Sequence, residues 1–163
     1  MNLEQTRAFF AFSMIKIVAV GVELSTKYKI SLNVSEDRVF DVSLPKQIFA
    51  KEIGKSNVEI VGIICLDFNN RIINYANVAT GNIATVKASV AQICKIALLS
   101  NASKVIVAHN HPDGCLKITD EDVTMTRKMA AALKLFDIQL MDSMIVNPNG
   151  EVVSIRKYVE SKQ

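Results

Sequence analysis

The chain has 163 residues, a formal charge of +3, and a composition that is half hydrophobic and about one-fifth charged. These values describe one globular domain with a real core and argue against a disordered or fibrous chain. Lysines and arginines are scattered, with no basic run of the kind that grips nucleic-acid phosphates. The three cysteines, Cys65, Cys94 and Cys115, are odd in number and form no C-x-x-C, so a disulfide framework is not expected and a reducing, cytoplasmic compartment fits best.

The first dozen residues suit a short amphipathic helix. The segments IKIVAVGVEL (15–24), YKISLNV (28–34) and RVFDVS (38–43) read as strands. The apolar stretch from Phe9 to Val22 is too short to span a membrane and is interrupted by Lys16, so it is assigned to the fold. Ser43-Leu-Pro45 starts a helix that runs to about Ile53, with Gly54 ending it. EIVGIICLD (59–67) and RIINYANVA (71–79) flank Asn69-Asn70 and predict a hairpin. Helical periodicity follows over 84–102. KVIVA (104–108) is then short and apolar, as a central strand should be. A loop, HNHPDGCLKI, leads into a helix over 119–136. IQLMDSMIV (138–146) and EVVSIRK (151–157) read as strands around a Pro148-Asn149-Gly150 turn. Strands mixed with helices in this way imply an α/β fold, a mixed sheet with helices packed on its faces. No repeat, low-complexity tract or linker divides residues 1–163 into further domains.

Both histidines of the chain lie in one tripeptide, His109-Asn110-His111, directly after KVIVA. In extended chain, residues i and i+2 point to one side, so both imidazoles can converge on one point. Imidazole is the commonest metal ligand, and zinc accepts it readily. Pro112 and Asp113-Gly114 turn the chain, and Asp122 lies in the first turn of the next helix, from which its carboxylate can swing back. Two histidines and an aspartate would leave a tetrahedral zinc one open position, the mark of a catalytic site. Thr119-x-x-Asp122 also reads as a capping-box variant. The two readings coexist, because a capped helix start holds Asp122 still.

The run His109-Asn-His-Pro112 through Asp122 resembles the JAMM motif of JAB/MPN domains, H-x-H-P followed by S-x-x-D, and in particular its RadC-like branch. The likeness extends through EIVGIICLDFNNRII, Gly81, IALLSNASKVIVAHNHP, LMDSMIV and VVSIR, covering roughly Ile15 to Lys157 and leaving residues 1–14 as an extra segment. It implies a three-layer α/β/α sandwich, similar to cytidine deaminases, and a zinc-dependent hydrolase with one Zn2+ per chain. By resemblance, His109, His111 and Asp122 are the metal ligands. Glu59 takes the position of the catalytic glutamate, and Thr119 that of a serine donating to the developing oxyanion. These roles suit the chemistry: zinc polarises a carbonyl and acidifies water, a glutamate moves the proton, and a hydroxyl stabilises the oxyanion. Taken alone, Glu59 reads as an exposed carboxylate at a strand end.

Several positions depart from the family pattern. Thr119 replaces serine, Asp113 follows Pro112 where serine is usual, and Leu116 and Ile118 stand where prolines are common. Cys115 lies within the loop, either as a soft fourth ligand or as a partly exposed thiol. Asp142-Ser143 replaces Asp-His, and Asp142 is either a partner orienting a ligand histidine or a surface charge. Ala91-Gln92 replaces Arg-Glu before the metal strand.

The leading reading is a metallohydrolase cutting a peptide or isopeptide bond in a peptide or protein substrate. A zinc deaminase would need H-x-E with P-C-x-x-C, and the chain has no C-x-x-C. The zincin motif H-E-x-x-H is absent as well. The RadC likeness also implies a DNA-repair-associated or mobile-element accessory protein binding DNA or a protein partner. Substrate and oligomeric state are not written in the sequence.

Overall fold

The computed structural model describes residues 38–81 and 90–162. The expected elements over 2–12, 15–24 and 28–34, and the start of the helix over 84–102, fall outside these residues. A first helix, α1 (Ser43–Phe49), runs into a wider π turn at Ala50–Gly54. Strands β1 (Glu59–Leu66) and β2 (Ile72–Gly81) form the hairpin, and α2 (Val90–Leu99) leads to β3 (Lys104–Asn110). Helix α3 (Asp120–Lys134) crosses to β4 (Gln139–Val146), followed by β5 (Val152–Ser154) and α4 (Ile155–Glu160).

The five strands lie in the order β2-β1-β3-β4-β5. All neighbours are antiparallel except β3 and β4, which run parallel. That parallel pair requires a crossover, and α3 supplies it. β3 sits in the middle of the sheet with Val105, Ile106, Val107 and Ala108 all buried, as its unbroken apolar run predicts.

Strict alternation sorts the central strands onto two faces. Ile63, Cys65, Val105 and Val107 pack with Ile93, Ile96, Met129 and Leu133 of α2 and α3. Ile64, Leu66, Ile106 and Ala108 pack with Ile48, Phe49 and Ile53 of α1 and its π turn. Each fully buried aliphatic side chain of this kind stabilises the fold by roughly 1.5–3 kcal/mol. The described residues therefore form the expected three layers, helix, mixed sheet and helix.

Local chemistry sets the turns. Asn70 takes a left-handed φ of 63°, and Asp67 closes the hairpin by accepting the Arg71 N–H at 2.8 Å. Of two expected strands, RVFDVS is not a strand and EVVSIRK is shorter than read. Arg38 forms only an isolated bridge to Arg71, and the chain bends at Phe40 before α1. EVVSIRK is strand only to Ser154, whose hydroxyl accepts the Lys157 N–H at 3.0 Å and caps α4. The cap turns IRK into a helix, supported by an Arg156–Glu160 pair one turn apart. At α1 the cap is Val42 rather than Ser43, with Asp41 accepting the Ser43 N–H.

Candidate metal centre

β3 extends two residues beyond KVIVA, so His109 and Asn110 belong to the strand and His111 opens the loop. Alternation carries His109 to the face of Val105 and Val107, the side on which α3 packs. The His111 N–H donates to the Val146 carbonyl at 2.9 Å, which keeps the chain extended past the strand end. The two rings then meet, with Nε2 of His109 3.1 Å from Nε2 of His111.

Asp122 arrives from the other side of the loop. Thr119 caps α3: its hydroxyl accepts the Asp122 N–H at 3.2 Å, and Asp122 Oδ2 accepts the Thr119 N–H at 2.8 Å. The Thr119 hydroxyl also donates to Oδ2 at 2.7 Å. This leaves Oδ1 facing His109 Nε2 at 3.2 Å. The capping box and the turn of Oδ1 toward His109 are thus one arrangement.

The loop between is a tight turn. The Gly114 N–H donates to the His111 carbonyl at 3.0 Å, Gly114 takes a φ of +79°, and Asp113 Oδ1 accepts the Cys115 N–H at 2.9 Å. An aspartate after Pro112 is therefore a turn former. His111 Nδ1 lies 2.6 Å from the Cys115 carbonyl oxygen. A carbonyl only accepts, so Nδ1 carries the proton and Nε2 presents a lone pair to the centre.

Donor spacing tests the fit of a metal. Zinc held at about 2.0–2.1 Å by tetrahedral ligands separates neighbouring donor atoms by about 3.3 Å. The observed 3.1 and 3.2 Å match that edge. His109, His111 and Asp122 place one donor atom each within 4.8 Å of one another, all three partly buried. Burial pushes the Asp122 carboxyl up, but hydrogen bonds from His109 and Thr119 outweigh it and hold it well below the usual carboxylate range. The carboxylate therefore offers an anionic donor of the kind that a divalent cation would take.

Glu59 opens β1 on the same face. Register sets Val61 opposite His109, and Glu59, two residues earlier in β1, shares the face of Val61. Burial raises its pKa and outweighs the opposing influence of the nearby His109 and His111 rings, and Asp122 raises it further. The carboxyl thus shares the field of all three ligands.

The profile of the RadC-like JAB domain matches residues 42–160. The chain belongs to this family. Among curated relatives, a UPF0758 protein of Cellvibrio japonicus is 37% identical over 97 residues, 60% of this chain and 43% of that protein. One of Roseiflexus castenholzii is 32% identical over 111 residues, 68% of this chain and 47% of that protein. One of Xanthomonas campestris pv. campestris (strain 8004) is 28% identical over 138 residues, 85% and 61%. The chain thus spans about half the length of these first two curated relatives.

Within this RadC-like JAB domain, two open assignments resolve. Asp142 pairs in register with Ile106, whose side chain packs on the α1 face, away from His109. It is buried and accepts the Ser143 N–H at 2.7 Å and the Ser154 hydroxyl at 2.8 Å. It is therefore neither a partner of the ligand histidines nor a surface charge. Cys115 is exposed, its thiol accepts the Lys117 N–H at 3.4 Å, and only its carbonyl reaches a ligand.

Asn110, which belongs to no motif of its own in the sequence, is fully buried and bonds to the chain at the entry of β1. Its signal was position: the residue between two ligands on a strand points to the opposite face. No helix among the described residues is long and apolar enough to cross a membrane.

Proposed function

We propose that this RadC-like JAB domain is a zinc-dependent metallohydrolase that cleaves an amide bond, peptide or isopeptide, in a peptide or protein substrate. The observation that carries the reading is the gathering of His109, His111 and Asp122, with donor atoms within 4.8 Å of one another and His109 Nε2 at 3.1 and 3.2 Å from the other two, beside a glutamate of raised pKa. A zinc ion held there supplies a Lewis acid that polarises a carbonyl and acidifies water.

The remaining work falls to side chains. Glu59, held nearer neutrality than an ordinary glutamate, takes a proton from water and returns it to the leaving nitrogen. Asp122 stays anionic throughout. The Thr119 hydroxyl is bonded to Asp122 Oδ2, and a turn about its Cβ–Oγ bond alone redirects the proton toward a tetrahedral oxygen. The β-branch keeps the hydroxyl itself in place during that turn.

Elemental analysis of the untagged chain beside an Asp122→Ala variant tests the metal. About one zinc per chain, lost in the variant, is expected. Peptide and isopeptide substrates are then screened with Glu59→Ala as control, where loss of the general base should cost 10²–10⁴-fold in rate, in order of magnitude. A correctly folded native chain that stays zinc-free after refilling overturns the reading, and a DNA or protein-partner role then leads.

A further inference from the structure

We propose that Asn110, the residue between the two histidine ligands, is a positioning residue for Glu59, clamping the entry of β1 against the metal strand. Backbone pairing of β1 with β3 ends at Val61 and His109. Beyond it the Asn110 side chain continues the ladder. Its Oδ1 accepts the Ile60 N–H at 2.7 Å, and its Nδ2 donates to the carbonyls of Val58 at 3.1 Å and Ser56 at 3.2 Å. Glu59 is therefore held on both sides by one amide.

The amide is fully buried, and all three of its bonds go to a single segment, the one that carries Glu59. Ser56 stiffens that segment further, its hydroxyl donating to the Val58 carbonyl at 2.7 Å and accepting the Val58 N–H at 3.2 Å. A strand residue between two ligands must face away from them, so Asn110 grips β1 without entering the metal site. Any displacement of β1's first residues relative to His109 and His111 has to break bonds to a buried amide, which cannot recover them from water.

The clamp rests on the reading of Glu59 as the proton carrier beside the zinc. Its test is a double-mutant cycle on the zinc-loaded chain, read by calorimetric titration with acetohydroxamate, whose acidic proton bonds a carboxylate held beside the metal. Loss of that charge-assisted bond in Glu59→Ala should weaken binding by about tenfold or more. Asn110→Ala should weaken it comparably while keeping one zinc per chain, and the double variant should bind no more weakly than Glu59→Ala alone. Hydrogen exchange should show the Ile60 amide unprotected in Asn110→Ala and protected in Glu59→Ala.

Effects that multiply in the double variant, unchanged hydroxamate binding in Asn110→Ala, or loss of zinc in that variant alone would each overturn the clamp and leave the hydrolase reading intact. A zinc-free native chain, or hydroxamate binding indifferent to Glu59→Ala, overturns both. If Asn110→Ala does not fold, Asn110→Ser, a small side chain whose hydroxyl can both donate and accept, carries the same cycle with an intermediate loss expected. Multiplying effects there count equally against the clamp.

Discussion

His111 meets Cys115 through the backbone: its Nδ1 lies 2.6 Å from the Cys115 carbonyl oxygen, while the thiol is exposed and turned to the Lys117 N–H. The bond that orients the ligand is therefore independent of the side chain at 115. Cys115→Ser should keep the full zinc content by elemental analysis. A loss of metal in that variant would show the thiol to be a ligand.

Thr119 joins the helix cap to the ligand carboxylate. Thr119→Ala removes the cap and should cost about 0.5–2 kcal/mol in urea unfolding. It also removes one of two donors to Asp122 Oδ2, so zinc affinity should fall about tenfold or more. Thr119→Ser should restore both, since either hydroxyl serves. Unfolding curves and competition with a chromogenic chelator read the two effects separately.

Gly62 is required by close approach. A Cβ there would stand 2.9 Å from the Tyr75 hydroxyl and 3.2 Å from the Phe49 ring. Tyr75 is pinned by its bond to Asn77 Oδ1 at 2.6 Å and packs edge-on against Phe49. Gly62→Ala should destabilise the fold by about 1–3 kcal/mol, seen as a lower urea midpoint at unchanged slope.

Burial raises the pKa of Asp142, although bonds from Ser154 and Ser143 and the charge of Arg156 oppose the rise. The folded value stands above the unfolded one of about 3.9. Its contribution to stability is therefore fully present below about pH 3.9 and is lost as pH rises through the folded pKa. Asp142→Asn keeps the Oδ1 acceptor and removes the charge. Thermal melts should show the variant gaining on the native chain between pH 4 and pH 7, and a gap that does not change with pH would contradict this.

Metal bound to the folded chain alone stabilises it by mass action, about 2.7 kcal/mol at a hundredfold excess over Kd. For a chain of this size that is a Tm shift of roughly 5–10 °C. Chelation should reverse it, and His109→Ala should show neither shift.

The gathering of His109, His111 and Asp122 was legible because it is local: H-x-H on a strand and T-x-x-D at a helix start each obey a short-range rule. The central place of KVIVA was legible from its unbroken apolar run. The fate of EVVSIRK was not, because β-branched residues suited a strand and the cap at Ser154 overrode them. Asp142 was misread because its neighbours in sequence do not reveal which sheet face it takes. Only the register with Ile106 does. Asn110 escaped notice because its partners lie fifty or more positions away, which no spacing pattern reports.

That separation divides the centre into two parts of different durability. His109, His111 and Asp122 close through one strand, one turn and one helix cap, whereas Glu59 is brought in from a distant part of the chain. Local opening of the β1 entry would leave the three ligands in place. On the hydrolase reading, the domain would then pass through a loaded but silent state, and metal content alone would overcount the molecules able to turn over.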